Sequence, residues 1–392
     1  MPITIPKRGH VFMIPETVTN VGEPFDPALD QNKAVYIEDF EAGLDHEPTP
    51  QPGKSMQQPG YPDVPGTETP TWSGKGTIRP ISINRDIGGG EHPKPKEHPM
   101  WLAGGLVPVT QTFNDGLGIN PELVYAPDPF AATTISIYEF MRKTGNLGDD
   151  LVLRKLESCK CNVAIICETG GPLMIELRDG YGRTFSRTAW SQSVDGIIAA
   201  ELADQGVRED VGANTPDGTF RPPFRGLNAA TTFSADLDGD GVDEAFYNFG
   251  VRRFELVFSA GSLQTPRNMD SDFGVSEVVD TANSPIRLTM QLESTTPDQF
   301  DTYEAVRRVA ALNWQTRFID FRTQKPAGEP FPYVTPQHEL DFLGTFYPSS
   351  ITPVEQEERQ VFDVEGIVGY PDPGFPDLLP LLSVIYRSRY YA

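Results

Sequence analysis

Proline and glycine interrupt this chain so often that a long helix has almost nowhere to run. Among 392 residues there are 36 Gly and 37 Pro, against ordinary usage of about 7% and 5%. Pro fixes φ and lacks an N–H, and Gly costs backbone entropy inside a regular element. Such punctuation favours many short strands and ordered arms over a helical bundle. Hydrophobic residues at 38% and charged residues at 22% belong to a globular chain with a core.

The strands announce themselves by alternation. Thr133 to Phe140, Val163 to Glu168, Leu173 to Leu177, Arg253 to Phe258 and Ile286 to Leu292 alternate polar and apolar residues, the mark of a half-buried strand. Gly170-Gly171 supplies a hairpin turn between the second and third. Arg317 to Phe321, Phe362 to Val368 and Leu382 to Tyr386 continue the series. Helical spacing of Tyr303, Val306, Val309 and Ala310 after Asp301 predicts a helix over 302–313, and Ile197 to Leu202 is a second helix candidate. The expected fold is mainly β, a sandwich or barrel with one or two flanking helices.

Four segments follow from these patterns. Residues 1–100 read as an extended Pro-rich arm and loops, unable to form a long central strand. Tyr36, Ile37, Phe40, Tyr61, Trp72, Ile78, Ile81 and Ile83 are apolar anchors that a pure linker lacks. Residues 101–205 form a first β-rich block, 206–250 an acidic loop insertion, and 251–392 a second β-rich block.

Net charge is −23, which argues against gripping nucleic acid, since phosphate binding draws on Lys and Arg. The start, Met1-Pro-Ile-Thr-Ile-Pro, lacks the basic and apolar regions of a secretory leader, and no apolar run is long enough to span a bilayer. We therefore expect no membrane association. Cys159, Cys161 and Cys167 are too few and too clustered for a disulfide framework, and no His lies near them in sequence to complete a zinc site. Their alternation with Val163 and Ile165 predicts burial on one sheet face.

The most specific local motif is Asp236-Leu-Asp-Gly-Asp-Gly-Val-Asp-Glu244. Carboxylates at alternate positions, with Gly239 and Gly241 permitting a tight turn, suit one hard cation held by oxygen ligands. Asp236, Asp238 and Asp240 are the direct ligands, Val242 gives its carbonyl, and Glu244 (or Asp243) completes the shell around Ca2+. Tyr247 occupies the twelfth position and no entering helix precedes the motif, so it is not an EF-hand. It resembles the calcium loop of FG-GAP repeats, which links two strands. The alternative is a solvated acidic turn.

Other signals carry less. Gly88-Gly-Gly90 neither follows a strand nor opens a helix. His92 and His98, beside Lys94 and Lys96 in a Pro-rich stretch, are expected to be exposed. Ser191 and Ser193 have no Gly-x-Ser-x-Gly elbow, and Glu355, Glu357 and Glu358 read as a solvated charge run. With no convergent acid, base or nucleophile, no catalytic centre is expected. Tyr386-Arg-Ser-Arg-Tyr-Tyr391 has interface composition and is expected to be a subunit-contact strand.

The order of elements resembles the major tail tube proteins of long-tailed, siphovirus-like bacteriophages. Trp101-Leu-Ala-Gly-Gly-Leu106 is similar to the small-residue stretch before the first tube strands, and Asp128 to Tyr138 to the acidic, Pro-containing lead into a strand. Leu156 to Cys167, Phe254 to Gly261 and Pro285 to Met290 resemble later strands of the sheet, so the likeness covers roughly residues 100–325. The long Pro-rich start and the acidic loop depart from the family's pattern.

The resemblance implies a virion protein made in the host cytoplasm that self-assembles. Hexameric rings, or trimeric rings of two-domain subunits with tandem tube domains, stack into a tail tube. Other tail proteins are partners, and DNA passes without specific binding. Alternative readings are a calcium-dependent extracellular β-sandwich binding module and another virion protein, capsid or decoration.

Overall fold

The computed structural model describes residues 9–25, 35, 37–46, 68–81, 94–114, 119–128, 133–142, 151–190, 223–226, 229–235, 245–259, 285–293, 311–320, 337–356, 359–369 and 382–389. These hold sixteen strands and one short helix. In chain order they are β1 (Gly9–Pro15), β2 (Ile37–His46), β3 (Glu68–Thr77), α1 (His98–Ala103), β4 (Leu106–Asn114), β5 (Ile119–Pro127), β6 (Ile135–Arg142) and β7 (Leu151–Glu168). Then come β8 (Met174–Tyr181), β9 (Thr184–Trp190), β10 (Ala229–Ala235), β11 (Ala245–Ser259), β12 (Ile286–Glu293), β13 (Leu312–Ile319), β14 (Gln337–Gln356), β15 (Arg359–Gly369) and β16 (Ser383–Arg389). The chain is mainly β, as its punctuation predicts.

Six strands close on themselves. Antiparallel pairing runs β10–β11–β12–β15–β14–β13 and returns to β10. Burial alternates cleanly along β12 and β13, so every second residue points inward. Phe254 of β11 meets Phe342 of β14 at 5.5 Å between ring centroids, and Phe233 of β10 meets Phe346 of β14 at 5.8 Å. Neither pair lies on neighbouring strands, so the rings cross the axis. The interior is a packed core, as small barrels require. Its polar groups are paired: the Trp314 indole N–H donates to Thr316 Oγ1 at 2.8 Å, and the Thr231 and Thr316 hydroxyls lie 2.7 Å apart.

Two lateral sheets grow from the barrel. The second half of β11 pairs with β7, which leads through β8 and β3 to β2. The first half of β14 pairs with β16, which leads through β5 to β4. Residues 151–168 and 245–259 thus share a ladder, joining the two strand-rich segments. The first half of β7 belongs to another sheet, between β6 and β9, with β1 beyond β6.

The switch along β7 occurs at Ser158, where φ is +56° and the register with β6 slips. Glu16 holds this bend. Its buried carboxylate accepts hydrogen bonds from the Ser158 N–H at 2.7 Å, Ser136 Oγ at 2.9 Å and Thr134 Oγ1. Without it a buried N–H at a strained residue would have no partner.

Several expectations change. The described part of residues 1–100 contains three strands, and the ten-residue β3 has neighbours on both sides. Pro70 is tolerated because pairing to β8 begins only at Thr71. Phe40, Trp72, Ile78 and Ile81 are buried as anchors. Prolines 48–65 lie outside the described residues. β6 is buried on both faces rather than half-buried, because Phe12, Phe25, Tyr138 and Phe140 form a second small core behind it.

Leu312 and Asn313 open β13 instead of ending a helix, while 197–202 and 301–310 lie outside the described residues. The helix found, α1, falls on Trp101-Leu-Ala, and its apolar run draws His98 and Lys96 into burial, contrary to their expected exposure. β16 is interior, between β14 and β5, so Tyr386 is a core residue rather than part of a subunit-contact strand.

Replacing Glu16 by Ala should cost about 3 kcal/mol, the loss of charge-assisted hydrogen bonds plus an unpaired N–H. Val18→Ala, at a side chain 59% exposed, should stay within about 0.5 kcal/mol. Denaturant midpoints of the two variants check this, and equal midpoints would remove the bracing role of Glu16.

Candidate functional site

The acidic motif falls between two paired barrel strands. Ala235 ends β10, Ala245 opens β11, and the two are directly opposite in register. Residues 236–244 therefore connect adjacent antiparallel strands. Asp236, Asp238, Asp240, Val242 and Glu244 themselves lie outside the described residues.

A charged ladder missed at the sequence level crosses the outer face of β13, β14, β16 and β5. Asp341, fully buried, accepts hydrogen bonds from Arg317 Nε at 2.9 Å, Gln315 Nε2 at 3.0 Å and Arg387 Nη1. Arg387 also bonds Glu122, and Arg317 lies 3.7 Å from Glu339. Cross-strand register puts these side chains opposite one another, Arg317 facing Asp341 and Arg387 facing Glu122. Guanidiniums holding carboxylates on two sides fasten the strands that carry them. Glu339 and Asp341 alternate with Leu340 and Phe342, which marks a strand, but which charges meet depends on strand order.

The open edges are the other feature with chemical consequence. Among the described strands β1, β2, β4 and β9 pair on one side only. The edges differ. β2 carries exposed Glu38, Asp39, Glu41 and Asp45, and its register slips between Glu38 and Glu41. Charge and a bulge of this sort discourage further pairing. The Val11 carbonyl of β1 already accepts the Val35 N–H at 2.9 Å, and β9 carries exposed Arg187. β4, Leu-Val-Pro-Val-Thr-Gln-Thr-Phe-Asn, has no charged residue, and Val109 is 40% exposed. Pro108 removes one donor from this edge, but no charge guards its remaining backbone groups, which is unusual in a chain of net charge −23.

The cysteines are core residues. All three are buried in β7, and burial raises each thiol, Cys167 to about 12, which keeps it protonated and unreactive. Among the described residues no group of three or more His, Cys, Asp or Glu is placed to hold a metal, and no helix is long and apolar enough to cross a membrane. No family model matches the chain, and no curated protein matches it in sequence.

Removing Arg387 while Asp341 stays should leave a buried carboxylate short of a partner. Arg387→Leu is expected to cost about 3–5 kcal/mol, and adding Asp341→Leu should recover part of that loss. A double-mutant cycle by chemical denaturation tests the coupling; additive effects of the two substitutions would dissolve the ladder as a fastening.

Proposed function

We propose that this chain is a structural virion subunit whose copies join through open sheet edges into stacked rings, forming a tail tube through which DNA passes. The observation that carries the reading is the uncharged β4 edge, paired on one side only, on an acidic chain. Backbone N–H and C=O groups along such an edge are satisfied when a neighbouring copy adds a strand. The filled barrel sharpens the proposal: the passage is a space enclosed by several copies, since aromatic rings occupy the axis of each barrel. A net charge of −23 suits a wall past which DNA slides, because few cations stand ready to displace the counterions of phosphate.

We further propose that Asp236, Asp238, Asp240, the Val242 carbonyl and Glu244 hold a structural Ca2+. The direct pairing of Ala235 with Ala245 supports this, since a bound ion at the connection would stabilise the β10–β11 hairpin and with it barrel closure. The same observation keeps a second reading in view, a calcium-dependent binding module that acts as a monomer.

Negative-stain microscopy and sedimentation of purified protein test the first proposal. Rings or tubes are expected; a stable monomer at high concentration that binds glycan would replace the tube with the binding module. Placing lysines at Val109 and Gln111 on β4 should abolish assembly with the fold intact, whereas lysine at Glu41 on β2 should not. Thermal melting with and without chelator tests the ion. Calcium at a hundredfold excess over its Kd should stabilise by about 2.7 kcal/mol. A midpoint indifferent both to chelator and to Asp238→Ala would eliminate the site.

A further inference from the structure

The buried side of α1 gathers ionisable groups from several parts of the fold into one joint. Glu97 precedes the helix and is 3% exposed. Its backbone carbonyl accepts the Met100 and Trp101 N–H groups at 2.8 and 3.1 Å, starting the helix. One side-chain oxygen, Oε1, accepts the Arg79 backbone N–H at 3.0 Å. The other, Oε2, is buried without a hydrogen-bond partner.

The rest of the joint ties α1 to the lateral sheet and to the barrel. Trp101 donates its indole N–H to the Tyr386 hydroxyl of β16 at 3.2 Å, and His98 Nδ1 lies 2.9 Å from the Tyr125 hydroxyl of β5. Tyr125 and Tyr386 meet edge to face at 6.2 Å, and Trp101 stacks on Phe258 of β11 at 6.1 Å. The backbone of α1 thus lies against β7, β1, β4 and β6, its side chains reach β5, β16 and β11, and Glu97 stands where the helix begins.

A carboxylate needs donors at both oxygens when it is taken out of water; a neutral carboxylic acid tolerates one orphan oxygen far better. We propose that Glu97 is a proton-operated latch: protonated, it lets α1 seat against β5, β16 and β11; ionised, it draws water into the joint and unseats the helix. The charged and titratable groups around it are Arg79 after β3, Lys96 beside it in the chain, His98 on α1, Tyr125 on β5 and Tyr386 on β16. Burial raises the Glu97 carboxyl to about 7, outweighing the backbone N–H groups of Glu97 and Arg79 and the charges of Arg79 and Lys96, all of which favour the ionised form. The buried Tyr386 hydroxyl, raised by burial and then by Glu97, stays protonated and offers no compensating charge.

The direction follows from linkage. A carboxyl whose seated form titrates near 7 and whose released form titrates near 4.5 keeps the latch fully closed below the ordinary carboxylate range. Closure weakens as pH rises through about 7. Between about pH 6 and about pH 8.5 the opening equilibrium should grow about tenfold. The latch does not depend on assembly, and it is tested on dispersed protein.

Hydrogen exchange read by mass spectrometry, corrected for the pH dependence of intrinsic exchange, is the measurement. Peptides covering 95–105 and 382–389 should lose protection about tenfold over that interval in the wild type. They should show no such change in Glu97→Gln, or in Glu97→Met should the first variant fail to fold. Protection that is flat in the wild type, or that falls equally in the uncharged variants, overturns the latch. So does an equal loss in peptides of β12, which would mean global unfolding rather than release of α1.

Discussion

Backbone hydrogen bonding along β11 and β14 carries the architecture outside the barrel. Both strands are longer than their share of the six-stranded cylinder. On one edge, β11 gives residues 245–250 to β10 and residues 253–259 to β7. β14 gives residues 337–343 to β16 and residues 345–356 to β15. A buried N–H or C=O left unpaired costs about as much as a lost hydrogen bond, so a strand that outruns its partner must find another at once. Each lateral sheet begins where that need arises.

Changing partners creates local trouble, and buried acids attend two of these places. Where β7 passes from β6 and β9 to β8 and β11, Ser158 turns left-handed and Glu16 supplies acceptors to the exposed donors. Where β16 and β5 extend from β14, Asp341 draws two arginines and a glutamine from neighbouring strands. Glu97 differs from these two in that one of its oxygens has no hydrogen-bond partner. The first two acids fasten strands through their donors, and the proposed switch rests on the lack of one at the third.

Local pattern made much of the β content legible. Ile286 to Leu292 and Phe362 to Val368 alternate in sequence and alternate in burial, and Cys161, Val163, Ile165 and Cys167 share the buried face of β7 as their spacing predicts. The misreadings share a cause, which is dependence on a distant partner. His98 and Lys96 look like residues of a polar loop until Tyr125 of β5 and Tyr386 of β16 receive His98 and Trp101 and the segment is buried with them. Tyr386 and Arg387 read as part of a subunit-contact strand until β14 and β5 take both sides. Glu122, Asp341 and Arg387 are not legible as partners in the sequence, because no local signal pairs residues so far apart in the chain before strand order sets them against one another. The expected calcium ligands, residues 236–244, lie outside the described residues; the strand ends that flank them, Ala235 and Ala245, pair directly.

The distribution of charge bears on how copies would meet. Across β2, β3, β8 and β11 a surface chain of opposite charges runs from Asp39–Lys75 to Glu176–Arg178 and on to Glu255–Arg253. Exposed pairs of this kind add little stability, but they neutralise the face they occupy. The excess negative charge of the chain lies beyond these pairs, and among the described residues exposed Glu38, Glu41 and Asp45 of β2 contribute to it. A face already balanced repels neither DNA nor a second copy strongly, whereas an unbalanced acidic face repels both. In the proposed ring the balanced face is thus the one that can lie against a neighbour or bulk water at little electrostatic cost. The unbalanced surfaces are the ones suited to line a passage for a polyanion.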